Sequence, residues 1–135
     1  MIRGDRRVLV FSAHAADFCS RAGGTILRFT DAGSSVGVYD LTYGEKCESP
    51  LLWNDNPDIT VDEVKEIRRE EIQAAASILG APIECLDYDD SPLLVDPDRR
   101  AEILEVIRSF KPDLVLCHWI NDYLHPDHVE AAEAV

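Results

Sequence analysis

The sequence predicts a three-layer α/β domain, in which a parallel sheet lies between helices. Short β-rich apolar runs alternate with segments of helical spacing along the whole chain. Polar residues with metal-binding chemistry follow two of these runs, His14 and Asp17 after the first and the HPDH segment, 125–128, after the fourth. Ligands of such sheets bind at the carboxyl ends of the strands, so we expect the functional site there.

The first half of the chain contains two strands, one helix and a long loop. The first strand is the run RVLVFSA at 7–13, and a helix over 21–33 follows, with Gly33 suited to its C-terminal cap. The second strand, 35–42, alternates and is rich in β-branched residues. The segment 43–59 is rich in turn formers and predicts a loop, and ordered loops of this length are commonly functional.

The clearest helix begins after Thr60. Thr60 and Glu63 have the spacing of a capping box, and Gly80 ends the helix. The apolar segment 81–88 predicts the third strand.

The last part of the chain predicts a helix, a strand and a further helix. The third helix begins at Asp96 and ends before Pro112, and the strand 113–120 is apolar enough to be central in the sheet. A final helix begins at 125–128 and is still in progress at the last residue. We therefore expect one Rossmann-like domain over residues 1–135 that forms the N-terminal portion of a longer protein. G-x-G-x-x-G is absent, so we expect no dinucleotide cofactor.

The composition limits the partners. The 135 residues are 46% hydrophobic and 29% charged, with a formal net charge of -13, which is typical of a globular protein that does not bind nucleic acid or an anionic membrane. An anionic substrate would need local arginines or a cation. The four cysteines form no CxxC pair and predict a reduced, cytoplasmic chain, and the apolar run Val8–Phe11 is too short for a signal peptide.

The two polar segments predict a metal site. Both follow strands of one sheet, so His14, Asp17 and a histidine of HPDH should meet at one edge. Two imidazoles and a carboxylate leave a fourth position for water, as in catalytic zinc sites, although the same ligands suit non-haem iron. Taken singly, Asp17 could cap a helix and Pro126 could start one. His118, inside the fourth strand, predicts a hydrogen-bonded core histidine.

A family resemblance covers essentially the whole chain. The segments AHAADF…AGGT, LTYGE, IRREEIQAAASILGA and HPDH resemble, in order, the motifs of the PIG-L/LmbE-like zinc deacetylases. The resemblance implies that His14, Asp17 and His128 bind Zn²⁺. It further implies that His125 stabilises developing charge or donates a proton, and that Asp127 orients His125.

One departure from that family changes the expected chemistry. The resemblance implies that deacetylases carry their general base, an aspartate, at the position of Ala16, and alanine cannot accept a proton. The segments SAHAADFCSRAGG and GEKCESPLLW instead resemble the 4-oxalomesaconate hydratase branch of the superfamily, which lacks this aspartate. The base must then come from elsewhere; Glu48 is our first candidate and Glu45 the second, and a solvated loop carboxylate is the plainer interpretation of Glu48.

These features predict a zinc-dependent hydratase of an unsaturated keto-polycarboxylate such as 4-oxalomesaconate. An N-deacetylase of N-acetyl sugar conjugates and a non-catalytic zinc-binding remnant are the alternatives. Arg68 matches a family motif and is expected to bind the small anionic carboxylate substrate, whereas Arg21 and Arg69 fit solvated helix positions better. The sequence leaves homo-oligomerisation open.

Overall fold

The structure is a computed structural model that describes residues 4–135. It contains four strands and five helices in that range. In chain order they are β1 (Arg7–Ser12), α1 (Asp17–Asp31), β2 (Ser35–Asp40), α2 (Pro50–Asp55), α3 (Val61–Leu79), β3 (Ile83–Cys85), α4 (Pro97–Phe110), β4 (Leu114–Leu116) and α5 (Pro126–Ala134).

All pairings in the sheet are parallel, and the strand order over the described residues is β3-β2-β1-β4. β1 and β2 are therefore the two inner strands, and β1 lies between β2 and β4. Its register aligns Val8 with Val36 of β2 and with Leu114 of β4. The carboxyl ends of all four strands consequently point to one edge, and the loops that follow β1 and β4 meet there.

Each face of the sheet has its own hydrophobic core, because successive residues of β1 point to opposite sides. Val8 and Val10 pack in a cluster with residues of α1 and α3, whereas Leu9 and Phe11 pack in a cluster with residues of α4 and α5. The predicted three-layer α/β architecture is thus confirmed. Within residues 4–135 no helix is both long enough and apolar enough to cross a membrane.

The caps predicted around α3 are present. The Thr60 side chain accepts a hydrogen bond from the Glu63 backbone N–H, and the Glu63 carboxylate accepts one from the Thr60 N–H. Gly80 ends the helix with φ of 65°, a left-handed conformation that glycine adopts without steric cost.

The elements that differ most from the prediction are α1, α2, β3 and β4. α1 begins at Asp17 rather than at 21, because a carboxylate in the first turn favours a helix start even without a side-chain cap. α2 lies inside the predicted loop, where Pro50 provides a pre-organised first helical residue. β3 has only three residues.

β4 is also short, and it lies at the edge of the described sheet rather than at its centre. It pairs with β1 only up to Leu116, opposite Val10. Beyond that point the segment after β1 forms a hydrogen bond with a side chain rather than with the backbone of β4: the N–H of Ala13 donates to His118 Nε2 at 2.9 Å.

Candidate active site

The site begins where β1 ends and α1 starts. His14 and Asp17 are both buried there, and the turn between them is closed by the Asp17 N–H, which donates to the His14 carbonyl at 3.1 Å. The His14 N–H in turn donates to Asp17 Oδ2 at 3.1 Å. The three-residue spacing thus places an imidazole and a carboxylate side by side.

The start of α5 brings the third predicted ligand to the same place. Pro126 occupies the first turn of α5, and His128 is buried two residues later. Potential ligand atoms of His14, Asp17 and His128 all lie within 4.8 Å of one another. The structure therefore brings together the three residues predicted to bind the metal, and two nitrogens and one carboxylate oxygen are donors that suit zinc.

Asp17 connects the imidazoles. Its Oδ2 lies 3.2 Å from His14 Nδ1 and 3.4 Å from the Nε2 atoms of both His118 and His128. Its Oδ1 accepts a hydrogen bond from Arg21 Nε at 2.7 Å. Burial opposes ionisation of this carboxyl group, but the adjacent His118 imidazole and the hydrogen bonds with His14 and Arg21 outweigh it and lower the pKa of Asp17 well below its usual range. Asp17 is consequently ionised, and the ionised carboxylate is the form that binds a cation.

The pKa values of the two histidines that are predicted to bind the metal shift in opposite directions. Burial disfavours the imidazolium of His14, but hydrogen bonds to Asp17 and Asp127 outweigh it and raise its pKa above 6.5. Burial lowers the pKa of His128, and the hydrogen bond to Asp122 only partly offsets it. That hydrogen bond, 2.8 Å from His128 Nδ1 to Asp122 Oδ2, orients the ring with its Nε2 toward Asp17.

All four histidines of the chain belong to one cluster. The ring centroids of His118 and His128 are 4.0 Å apart and stacked, and the His125 ring lies 4.5 Å from His128 and 4.6 Å from His14. His118 does accept the predicted hydrogen bond, but its place is this cluster rather than a separate core position. Its location at the end of β4 is the signal that could have assigned it to the site.

The resemblance implies that Asp127 orients His125, whereas the hydrogen bonds of the Asp127 carboxylate among the described residues go to other groups. Asp127 Oδ2 lies 3.1 Å from His14 Nε2, and its carboxylate accepts hydrogen bonds from the N–H groups of Ser91 and Leu93. Burial opposes its ionisation, but these N–H groups and His14 lower its pKa. The buried Nδ1 of His125 has no hydrogen-bond partner among the described residues. The Asp127 carboxylate therefore orients His14, and His125 has a ring nitrogen available for a ligand.

Glu48 reaches the site from the loop after β2. Its Oε2 accepts a hydrogen bond from the Ala16 N–H at 3.0 Å and lies 3.4 Å from Arg68 Nη2. The Glu48 N–H donates to the Gly44 carbonyl at 3.0 Å, which forms a single helical turn. Gly44 has φ of 64°, and a Cβ there would come within 2.8 Å of Glu48 Oε2. A residue without a side chain at 44 therefore lets the Glu48 carboxylate fold back onto Ala16.

Glu45, the second candidate base, has a different environment. It is fully buried, and neither carboxylate oxygen has a hydrogen-bond partner among the described residues. The nearest cation is Lys65, whose Nζ lies 3.9 Å from Oε1. Burial raises the pKa of Glu45, and its backbone carbonyl holds the indole of Trp53 at 2.7 Å. Glu45 is thus a buried residue whose contact with Trp53 holds the loop in position.

The two candidate arginines also differ. All three guanidinium nitrogens of Arg68 donate to protein oxygens, which belong to Tyr43, Glu71 and Glu48, and the side chain is 14% exposed. The Arg21 side chain is 60% exposed and donates only through Nε, to Asp17, among the described residues.

Cys47 adds a thiol beside the cluster. Its Sγ and nitrogens of His14 and His125 lie within 4.8 Å of one another, a second set of three donors. Burial and the neighbouring Asp90 carboxylate raise the pKa of Cys47, so this thiol is protonated at neutral pH in the absence of a cation.

Comparison with known proteins identifies the family. The family model described as PIG-L, GlcNAc-PI de-N-acetylase, matches residues 9–135. The chain belongs to the PIG-L family. The predicted membership is thereby confirmed.

Relatives of this PIG-L chain include both hydratases and deacetylases. It is 42% identical over 123 residues to the 4-oxalmesaconate hydratase of Pseudomonas putida, a match that covers 91% of the chain and 47% of the relative. It is 33% identical to the diacetylchitobiose deacetylase of Thermococcus kodakarensis, with 93% of the chain and 46% of the relative covered.

Solved structures support the same two groups. The crystal structure of GalB, the 4-carboxy-2-hydroxymuconate hydratase from Pseudomonas putida, matches with a TM-score of 0.91 and 41% identity over 94% of the chain and 52% of that structure. The N,N'-diacetylchitobiose deacetylase from Pyrococcus horikoshii matches with a TM-score of 0.84 and 28% identity, over 96% of the chain and 48% of that structure. The PIG-L chain spans about half the length of these relatives.

Proposed function

We propose that this PIG-L protein is a zinc-dependent hydratase that adds water to an unsaturated keto-polycarboxylate such as 4-oxalomesaconate. The hydrogen bond from the Ala16 N–H to Glu48 Oε2 carries the proposal. It places a loop carboxylate next to the residue that, in the deacetylases that the sequence resembles, is the aspartate base. We infer that Glu48 acts as the base and comes from a different loop than the aspartate of the deacetylases.

The metal would be held by His14, Asp17 and His128. These buried side chains offer the donor set and the spacing that the ion needs, and Asp122 and Asp127 orient the two imidazoles. A zinc ion bound there supplies a Lewis acid that lowers the pKa of a water ligand and polarises a carbonyl or carboxylate oxygen.

The protein side chains would carry the proton transfers. Glu48 accepts a proton from the attacking water as the water oxygen forms a bond to one alkene carbon. A proton added to the other alkene carbon then balances the addition of water. His125, whose ring lies beside His14 and His128, stabilises the developing charge or supplies that proton. Arg68 holds Glu48 in position through its Nη2.

The relatives favour this chemistry. A hydratase is the relative with 42% identity, and the deacetylase of Thermococcus kodakarensis has 33%. Amide hydrolysis is the second candidate because deacetylases share the fold and the metal-binding residues that the resemblance implies. Ala16 argues against it, since loss of a general base typically costs a factor of about 10²–10⁴. A zinc-binding remnant without activity is the third alternative.

We further propose a cytoplasmic location and a small anionic carboxylate as the substrate. All four cysteines are free, which fits a reducing compartment. Homo-oligomerisation and the expected lack of nucleic-acid binding stay predictions.

The decisive experiment compares the two chemistries in one preparation. Protein with and without zinc is mixed with 4-oxalomesaconate, and loss of the conjugated absorbance is followed; acetate release from N,N'-diacetylchitobiose is measured in parallel. We expect zinc-dependent loss of absorbance and little acetate release. Efficient acetate release would make the protein a deacetylase with another base, and a zinc-loaded protein inactive in both assays would favour the remnant.

A further inference from the structure

The search for a substrate anchor starts from charge. The chain carries a formal net charge of -13, so a polycarboxylate needs a local cation besides the metal. A cavity of about 390 Å³ lies beside the metal-binding residues, and its walls include Asp17, His118 and Trp119. Among the described residues that line it, Arg21 is the only lysine or arginine.

The position of Arg21 follows from the helix. Arg21 is four residues after Asp17 on α1, a spacing that puts both side chains on one face. Its Nε donates to Asp17 Oδ1 at 2.7 Å, and this contact holds the guanidinium group beside Asp17. The two terminal nitrogens donate to no residue of the described part of the chain, and the side chain is 60% exposed.

The geometry of the guanidinium group suits the terminal nitrogens of Arg21 to carboxylate binding. The two terminal nitrogens form a planar fork that matches the two oxygens of a carboxylate. Arg68, which the sequence favoured for this role, donates to protein oxygens through all three nitrogens and is only 14% exposed. Arg21 therefore has the accessible fork, whereas Arg68 has its nitrogens turned to the protein.

We propose that Arg21 binds one carboxylate of the substrate through its two terminal nitrogens. This inference rests on the proposed function for the nature of the substrate. Asp17 links Arg21 to the histidines. Its Oδ2 faces His14 and His128, and its Oδ1 accepts the hydrogen bond from Arg21. A substrate that reaches the metal with one oxygen group would thus meet the Arg21 guanidinium group with another, which selects polycarboxylates over monocarboxylates.

The test measures binding rather than turnover. Zinc-loaded protein is titrated calorimetrically with propane-1,2,3-tricarboxylate, a saturated tricarboxylate that cannot be hydrated, and with butyrate, which keeps only one of its carboxylates. Arg21→Gln should weaken tricarboxylate binding at least tenfold but butyrate binding less than threefold. Arg21→Lys should fall between. Arg28→Gln is the matched control, an exposed arginine on the same helix, and should change either affinity less than twofold.

Zinc content is measured in every sample, because Arg21 also contacts Asp17. Equal losses for both ligands, a loss that parallels loss of zinc, or an unmodified protein that does not bind the tricarboxylate would overturn the proposal. In the first two cases Arg21 would only position Asp17. If Arg21 discriminates the ligands but 4-oxalomesaconate is not hydrated, the anion site stands and the proposed reaction fails. If hydration proceeds and Arg21→Gln leaves KM unchanged, the reaction stands and the anchor fails.

Discussion

The two sides of the site are built differently. The histidine side consists of His14, Asp17, His118, His125 and His128, and it is carried by the ends of β1 and β4 and the start of α1 and α5. The Glu48 side consists of Glu48, Arg68, Ala16 and Gly44. The three predicted metal ligands are at most 2% exposed, whereas the Glu48 side chain is 23% exposed.

This difference matches two chemical tasks. A metal requires donors at fixed distances, which burial and a network of hydrogen bonds provide. A general base must exchange protons with water in each cycle, so it has to be reached by solvent. The histidine side thus has buried donors in fixed positions, whereas the Glu48 side is accessible to solvent. The changes below test the two sides in turn.

Removal of a ligand on the histidine side should have the largest effect. His128→Ala deletes one of three donors, so zinc content should fall from about one per chain to below a tenth, and hydration should fall about 10³-fold or more, about 4 kcal/mol of transition-state stabilisation. Elemental analysis and the absorbance assay measure both. Glu133→Ala, an exposed change on the same helix, is the control. Full zinc content in His128→Ala would contradict the ligand assignment.

Neutralisation of the base should affect rate but not metal. Glu48→Gln keeps the size of the side chain and an oxygen for the Ala16 N–H, yet it cannot take a proton. The value of kcat should therefore fall at least tenfold, and loss of a general base typically costs a factor of about 10²–10⁴. Zinc content should stay near one per chain. Glu45→Gln is the matched comparison and should change kcat less than threefold. A larger loss in Glu45→Gln than in Glu48→Gln would exchange the two roles.

A change to Arg68 should have a smaller effect and tests what it holds. Arg68→Lys cannot reproduce the contacts to Tyr43, Glu71 and Glu48 together, so Glu48 should be less well placed. We expect kcat to fall roughly fivefold to tenfold with KM within twofold, about 1 kcal/mol. Arg69→Lys serves as the control. A rise in KM at unchanged kcat would instead support the direct substrate contact predicted from the sequence.

The smallest effect concerns Asp40, which lies between the two sides. Burial raises the pKa of Asp40 well above 3.8, and the charges of Asp17 and Glu48 raise it further. The folded state therefore keeps Asp40 protonated at pH values where the unfolded chain ionises it, and this costs stability as pH rises above about 4. Asp40→Asn should stabilise the fold by roughly 1 kcal/mol at pH 7 and by nothing at pH 3.

Thermal unfolding at several pH values measures this difference. Asp58→Asn, on the exposed surface, should shift the melting temperature at neither pH. Equal stabilisation by Asp40→Asn at pH 3 and pH 7 would show that the effect is not electrostatic.

The sequence predicted the histidine side better than the Glu48 side. His14, Asp17 and His128 follow strands, and the parallel sheet brings strand ends together, so their meeting follows from topology. The contact between Glu48 and Ala16 depends on the left-handed turn at Gly44 and on α2, neither of which the hydrophobic pattern encodes. Asp127 contacts His14 rather than His125 for a similar reason, because orientation within a turn depends on loops such as the one that contains Ser91 and Leu93.

The contact between Glu48 and Ala16 has a consequence for the evolution of the family. An aspartate at 16, which the resemblance implies for the deacetylases, and Glu48, the base proposed here, would occupy neighbouring space, and two carboxylates that close would repel until one of them was protonated. An ancestor with both would carry a weakened pair, and an ancestor with neither would have no base. Gain of one carboxylate and loss of the other would therefore have to occur together, so few mutational routes would connect hydration with hydrolysis.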